Sequence, residues 1–172
     1  GLPDLVSWLK RQRSLPRDLK PGHRLDRATS GVVLCGAGRG ARAQIASWLS
    51  ANPGKYYLAL VAGVPTEEGG AFEAPLNDER RGRLLEAKAV YTVRQRLEGF
   101  TLLELELVTG RKHQLRRHLA DAGLPVVGDG RHGPKRPKRV PGFPGRLWLN
   151  AWKLRIGERV IEEPLPEELA AH

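Results

Sequence analysis

The sequence predicts an α+β fold with a mixed, largely antiparallel β-sheet and a few helices. Three observations predict it. Several short segments alternate apolar and polar residues with the period of two that marks a half-buried strand. Most of these segments are joined by turns rather than by helices. Only two or three stretches carry the spacing of an amphipathic helix. With 172 residues, the chain is expected to form one domain, 1–172, around a single core.

Residues 2–13 fit a short amphipathic helix with Leu2, Leu5, Val6 and Leu9 on one face. Residues 14–22 hold two prolines and a glycine and read as a connection. Val32 to Cys35 reads as a short buried strand. Ala41 to Leu49 places Ile45, Trp48 and Leu49 at helical spacing, and Asn52-Pro53-Gly54 stops that helix. Lys55 to Gly63, rich in Tyr, Leu and Val, reads as a strand, and Gly69-Gly70 and Asn77 to Gly82 as polar turns.

Ala87 to Leu97 and Phe100 to Thr109 form a hairpin pattern with Glu98-Gly99 at its turn. In the second arm Leu103, Leu105 and Leu107 alternate with Glu104 and Glu106, giving one dry and one wet face. Arg111 to Ala122 reads as a helix with Leu115 and Leu119 inward and Gly123 placed to cap it. Leu124 to Val127 and Leu147 to Ile156 are further strand candidates. Arg131 to Arg146, dense in Pro, Gly, Lys and Arg, is too charged to pack and reads as a functional or mobile loop.

A hydrophobic fraction of 40% supports a core, and 28% charged residues support a water-facing surface. No apolar run approaches the roughly 20 residues of a membrane span. The start, Gly1-Leu2-Pro3-Asp4, lacks the features of a secretion signal, and the chain has no Met, which points to a trimmed N-terminus. The single cysteine, Cys35, excludes an internal disulfide and fits a reducing cytoplasm. Net charge is +10, from 29 Lys+Arg against 19 Asp+Glu. Much of the excess clusters at Lys10 to Lys20 and Arg111 to Arg146, while Glu162 to Glu168 is acidic. Clustering favours a polyanion-binding face, of which nucleic acid is the commonest occupant. Charge alone does not separate RNA from DNA or anionic lipid.

Three segments carry chemistry. In His23-Arg24-Leu25-Asp26-Arg27-Ala28-Thr29-Ser30-Gly31 one carboxylate lies among two arginines and a histidine. Nearby cations favour an ionised carboxylate, and Thr-Ser-Gly permits a tight turn that presents it. A surface turn with an ordinary ion pair is the commoner arrangement. In Lys55-Tyr56-Tyr57-Leu58-Ala59 the two tyrosines fall on opposite faces, so one can pack while the other lines a cleft. Thr109 to Leu119 enters a helix crowded with donors. Arg116 sits at the edge of the inner stripe and can reach a carboxylate, whereas Lys112 and Arg117 can face solvent and phosphates. Gly36 to Gly40 matches no phosphate-binding fingerprint. Neither zinc spacing nor a serine elbow appears among the five histidines and the serines, and Cys35 reads as a small core residue.

Together the three segments resemble the RluA-type pseudouridine synthases, whose marks are HRLD-x-x-TSG, K-x-Y-x-A and TGR-x-HQ-[IL]-R-x-H. Here they stand at His23 to Gly31, Lys55 to Ala59 and Thr109 to His118. Gly128-Asp129, Leu147 to Trp152 and Pro164-Leu165-Pro166 also fit, so the likeness runs from about Leu2 to Leu169. The resemblance implies that family's catalytic-domain fold and isomerisation of uridine to pseudouridine in tRNA or rRNA. It implies Asp26 as the catalytic aspartate, Tyr57 as the tyrosine packing on the target base, and Arg116 as the arginine pairing with the carboxylate. Arg24 stands where relatives insert an arginine into the RNA stack, and Arg27, Thr29, Arg111, Lys112, His113 and Arg117 complete the expected RNA contacts.

The expected partner is structured RNA, met by a monomer with no metal, no organic cofactor and no membrane. Three departures stand out. The strand and Lys-Pro-x-Gly segment that normally precede HRLD are missing, no S4-like domain is present, and Asn150 replaces the usual His of Leu-His-Ala. Arg116-Arg117-His118 and Asp129 to Gly133, with His132-Gly133 for the more usual Tyr-Gly, look most like the branch that modifies U65 of tRNA, with ribosomal RNA the alternative target. Two other readings remain: a non-catalytic RNA-binding module using the same basic face, and a nucleosidase, although such enzymes usually need two carboxylates.

Overall fold

A computed structural model of the chain describes residues 5–12, 14–51, 54–78, 81–137, 140, 143 and 145–170. Leu2, the Asn52-Pro53 stop and parts of the 131–146 loop lie outside the described residues. The elements in chain order are α1 (Leu5–Arg11), β1 (Lys20–Pro21), β2 (Ser30–Gly31), β3 (Cys35–Gly36), α2 (Gly38–Ala51), β4 (Lys55–Ala62), β5 (Gly69–Phe72), β6 (Leu76–Asp78) and β7 (Arg83–Leu85). They continue as β8 (Ala89–Leu97), β9 (Phe100–Leu107), α3 (Gln114–Asp121), β10 (Leu149–Ile156), β11 (Arg159–Glu162) and α4 (Glu167–Ala170). The chain divides into two compact units: Gly1–Leu25 with Val33–Asn52, and Asp26–Val32 with Pro53–His172.

In the first unit β1 and β3 form a short antiparallel pair, Lys20 opposite Gly36 and Pro21 opposite Cys35. The Leu34 N–H donates to His23 Nε2 at 3.0 Å, which fixes that ring beside the pair. Helix α2 buries Ile45 and Leu49, but Trp48, expected on the same inner stripe, is 41% exposed. The helix comes so close to Gly22 that a Cβ there would lie 2.6 Å from Ile45 Cγ2. Cys35 is half-buried, and burial pushes its thiol above the ordinary value, which leaves little reactive thiolate.

The second unit is built on a seven-stranded mixed sheet in the order β11-β10-β4-β9-β8-β5, with β2 joined in parallel to β10. All other pairings in it are antiparallel, and β6 and β7 make a separate hairpin. The alternation in β9 sets the two faces. Tyr57, Ala59 and Val61 of β4 stand opposite Leu105, Leu103 and Thr101, all of them buried on one face. The other face packs Leu60, Val127, Trp148 and Leu169 with Leu58, Phe100, Leu102 and Leu165 around them. Burying each such leucine contributes roughly 1.5–3 kcal/mol, so the sheet is stabilised from both sides.

Four expectations are corrected. The Val32–Cys35 run is not one strand, because Ser30–Gly31 pairs with β10 and Cys35–Gly36 pairs with β1, leaving Val32 to Leu34 in neither sheet. Gly69-Gly70 is not a turn but the start of edge strand β5, opposite Thr92 and Tyr91. Its missing side chains make room, since a Cβ on Gly70 would come 2.9 Å from the Tyr91 ring. Leu124 to Val127 makes only an isolated bridge, Val61 to Val126. Pro125 has no N–H to extend a ladder, and Gly128 turns away at φ 77°. Asn77-Asp78 of the Asn77 to Gly82 stretch belongs to β6 rather than to a turn; Arg81-Gly82 does turn, and residues 79–80 lie outside the described residues.

Gly31 is required by both backbone and space. Its φ is +117°, and a Cβ would meet the Ala151 carbonyl oxygen at 2.3 Å. Gly31→Ala is therefore expected to lower stability by at least about 2 kcal/mol, read as a fall in the urea midpoint at unchanged slope. An unmoved midpoint would show that β2 is not held against β10 as described.

Candidate active site

Asp26 sits in a tight turn closed by the Thr29 N–H, which donates to the Asp26 carbonyl at 2.9 Å. The turn feeds directly into β2, and β2 is clamped to β10. The Asn150 amide donates to Ser30 Oγ at 2.8 Å, and Asn150 is fully buried. Asn150 thus helps seat the strand that follows the carboxylate. The Asp26 side chain remains 22% exposed, open to a reactant without being loose in solvent.

Helix α3 brings the cation. Arg116 is buried and makes a bidentate pair with Asp129, Nε to Oδ2 at 2.8 Å and Nη2 to Oδ1 at 2.6 Å. Its remaining nitrogen, Nη1, stands 3.8 Å from Asp26 Oδ2. The expected Arg116–Asp26 pair is therefore only the looser of two contacts. The tight partner is Asp129, whose side chain is 1% exposed. Burial opposes ionisation of Asp129, but the Arg116 hydrogen bond and the His132 and Arg131 backbone N–H groups outweigh it and hold its pKa at about 2. Asp129 Oδ1 accepts both of those N–H groups at 3.0 Å.

His113 completes the cluster. Its Nε2 lies 3.9 Å from Asp26 Oδ1, and its Nδ1 lies 2.8 Å from Nε2 of His132. It occupies the left-handed region at φ 53°, the one non-glycine residue to do so among the described residues. The Gln114 side chain locks that turn. Its Oε1 accepts from Thr109 Oγ1 at 2.8 Å and from the Arg111 N–H at 3.0 Å, and its Nε2 donates to the Lys88 carbonyl at 3.0 Å. Burial lowers the His113 pKa; Arg116, Arg131 and Lys112 act the same way, and Asp26 opposes them.

Tyr57 and Tyr56 do diverge across β4. Tyr57 is buried at 9% exposure, and burial, then the charge of Asp26, push its pKa to about 12. It is a neutral phenol at physiological pH. Tyr56 turns to the other face, where its hydroxyl donates to Glu106 and Lys153 lies 4.7 Å from its ring centroid.

The other expected contacts divide. Arg24 is exposed and belongs to the first unit. Arg27, Arg111 and Lys112 are exposed, with Arg111 Nε donating to the Glu86 carbonyl. Thr29 is half-buried, and its hydroxyl has no hydrogen-bond partner among the described residues. Arg117 does not simply face solvent: its Nη1 donates to the Asn77 carbonyl at 3.1 Å. His118 is a core histidine whose Nε2 donates to the Ala74 carbonyl. Asp129 and His132 were given no role by the sequence; the Gly128-Asp129 pair that follows α3 was the available signal. Among the described residues, no group of three His, Cys, Asp or Glu is arranged to hold a metal ion, and no helix is long and apolar enough to cross a membrane.

A carboxylate in a turn thus faces a buried guanidinium on α3, a buried phenol on β4 and an imidazole at the start of α3. The family model described as RNA pseudouridylate synthase matches residues 5–121. The chain belongs to the RNA pseudouridylate synthase family, of the RluA type that its motifs imply.

It is 32% identical over 169 residues to the uncharacterized RNA pseudouridine synthase YlyB of Bacillus subtilis, covering 88% of this chain and 54% of that protein. It is 34% identical to tRNA pseudouridine synthase C of Salmonella typhi, covering 83% of this chain and 64% of that protein. With ribosomal large subunit pseudouridine synthase D of Xanthomonas campestris the identity is 38%, over 86% of this chain and 51% of the relative. The chain thus spans between half and two thirds of the length of these relatives. Human RNA pseudouridylate synthase domain containing 4 shares the fold, with a TM-score of 0.77 at 23% identity, covering 96% of this chain and 78% of that one. Human RNA pseudouridylate synthase domain containing 1 gives 0.73 at 25% identity, covering 95% and 74%.

Proposed function

We propose that this chain is the catalytic part of an RNA pseudouridine synthase that acts on uridine in tRNA or rRNA, with Asp26 as its essential carboxylate. The observation that carries the reading is Asp26 Oδ2 at 3.8 Å from a guanidinium that is itself buried and anchored.

The uracil must leave C1′, turn, and rejoin through C5. It cannot turn inside a stack, so the nucleotide flips out, at about a few kcal/mol. Asp26 either attacks C1′ or removes the C2′ proton, and both routes need a carboxylate. Arg116, fixed by Asp129, supplies a positive charge that does not have to move when the reaction begins. Tyr57 offers a ring face to the base, a stacking contact worth roughly 1–3 kcal/mol. Arg24 enters the stack that the uridine leaves. Arg27, Arg111, Lys112 and Arg117 hold phosphates, so affinity falls with salt. Thr29 and His113 lie where the RNA meets Asp26. The protein works as a monomer in the cytoplasm, without metal or organic cofactor.

The test is pseudouridine mapping on tRNA and rRNA after incubation with the chain. Appearance of pseudouridine at defined uridines is the expected result. Tight binding without modification would favour the non-catalytic module, and free uracil would favour nucleosidase chemistry. Tyr57→Phe keeps the ring and removes the hydroxyl. Because that phenol stays protonated to about pH 12, the variant is expected to bind RNA normally and lose turnover only if the hydroxyl hands on a proton. Tritium release from C5-labelled uridine RNA reads this, and a wild-type rate would confine Tyr57 to stacking.

A further inference from the structure

We propose that His132 and His113 form a two-imidazole proton relay running from half-exposed His132 to the substrate side of His113, beside Asp26. The inference rests on the reading of Asp26 as the reacting carboxylate.

The geometry leaves few choices. His113 Nδ1 and His132 Nε2 are 2.8 Å apart, with the rings edge-on at 78°. At that separation one hydrogen fits between the nitrogens and two do not. The tautomers of the two rings are therefore linked. The other end of His113, Nε2, stands 3.9 Å from Asp26 Oδ1. At 3.9 Å the contact is electrostatic rather than a hydrogen bond, and the carboxylate's charge favours the form of His113 with hydrogen on Nε2. His113 Nδ1 then carries a lone pair, and His132 Nε2–H donates to it.

This state moves protons without rotating either ring. A proton taken up at His132 Nδ1 lets the shared hydrogen pass to His113 Nδ1, and the hydrogen on His113 Nε2 is released toward the substrate. Both rings end neutral, in the opposite tautomers. A proton received at His113 Nε2 drives the same steps backwards and restores the start. Uridine isomerisation needs one transfer each way. The C1′–N1 bond breaks and N1 gains a proton; the C1′–C5 bond forms and C5 loses one. One turnover therefore runs the relay once inward and once outward, with no net proton consumed and no oxidant or reductant.

The surroundings favour fixed, neutral rings. His113 is held in a left-handed backbone conformation that costs about 1–3 kcal/mol for most residues, and the Gln114 hydrogen bonds keep it there. The turn bearing His132 is pinned by its own N–H and that of Arg131 to Asp129. The charged groups facing the pair are Asp26, Asp129, Arg116, Arg131 and Lys112. Burial is the largest influence on both rings and lowers both pKa values, with the cations adding to it and the carboxylates opposing it.

Two measurements test this. The first needs no substrate: imidazole nitrogen NMR of the folded protein. The expected result is hydrogen on His113 Nε2 and His132 Nε2, with a single proton taken up by the pair as pH falls. Two independent titrations would overturn the relay. The second is tritium release with His132→Ala and His132→Asn. Both are expected to slow by roughly 10²-fold, and added imidazole is expected to restore the alanine variant. The asparagine amide can still donate to His113 but cannot pass a proton. A fast His132→Asn enzyme would reduce His132 to a positioning residue and overturn the relay. A fast His132→Ala enzyme alongside a dead Asp26→Asn enzyme would also overturn the relay and leave the carboxylate reading intact. A fast Asp26→Asn enzyme would instead sink the reading beneath it.

Discussion

Asp26→Asn is expected to lower pseudouridine formation by at least about 10³-fold while leaving RNA affinity within about threefold. The amide keeps the size of the carboxyl and can still sit near Arg116, so the turn closed by Thr29 is undisturbed. What it loses is a negative oxygen able to attack C1′ or take the C2′ proton. The exposed cations proposed to contact phosphates, such as Arg27, Arg111 and Lys112, are not touched by the substitution. Filter binding and tritium release on the same RNA separate the two effects. Retained turnover would remove this carboxylate from the chemistry, and lost binding would make it an RNA contact instead.

Asp129→Ala is expected to cost about 3–5 kcal/mol of stability, because it leaves the buried Arg116 cation without its bidentate partner. It also strips the acceptor from the Arg131 and His132 N–H groups. Activity should fall with it, since Arg116 would be free to swing onto Asp26. Acid provides a second measure. The folded-state pKa of Asp129 is about 2 against an ordinary value of 3.8, so its contribution is present above about pH 4 and is lost as pH falls through 2. That window is worth on the order of 2 kcal/mol. Urea midpoints between pH 5 and 2 should show the slope in wild type and lack it in Asp129→Asn. Equal slopes would mean that the buried pair is not the one described.

The strongest sequence signals survived folding because they were local. The hairpin of β8 and β9 follows from two strand-like arms around Glu98-Gly99 and the alternation of the second, and Gly99 adopts φ 73° as its turn requires. Helix α3 follows from Leu115 and Leu119, both buried, and ends at Gly123 with φ 73°. Asp26 was legible as a carboxylate in a turn and Tyr57 as one of two tyrosines on opposite strand faces; the roles proposed for them came from the family resemblance. The misses are non-local. Val32 to Cys35 looks like one strand because its apolarity is real, but Ser30-Gly31 just before it and Cys35-Gly36 at its end pair with partners distant in sequence from each other. Gly69-Gly70 looks like a turn because glycine usually marks one, and nothing nearby announces that the ring of Tyr91 needs the space. Arg116 was rightly expected to reach a carboxylate, but the preferred one lies past the end of its own helix at Asp129. A spacing of thirteen residues across a turn has no periodic signature.

The three nitrogens of Arg116 have unequal duties. Two are committed to holding the end of α3 to the turn after it, and the third is left to face Asp26. One delocalised cation therefore serves as mortar and, on the proposed mechanism, as the fixed charge beside the reacting carboxylate. Whatever loosens the masonry displaces the charge that faces Asp26, and whatever draws more of that charge toward Asp26 takes it from the wall. In this protein durability and chemistry are not independent dials.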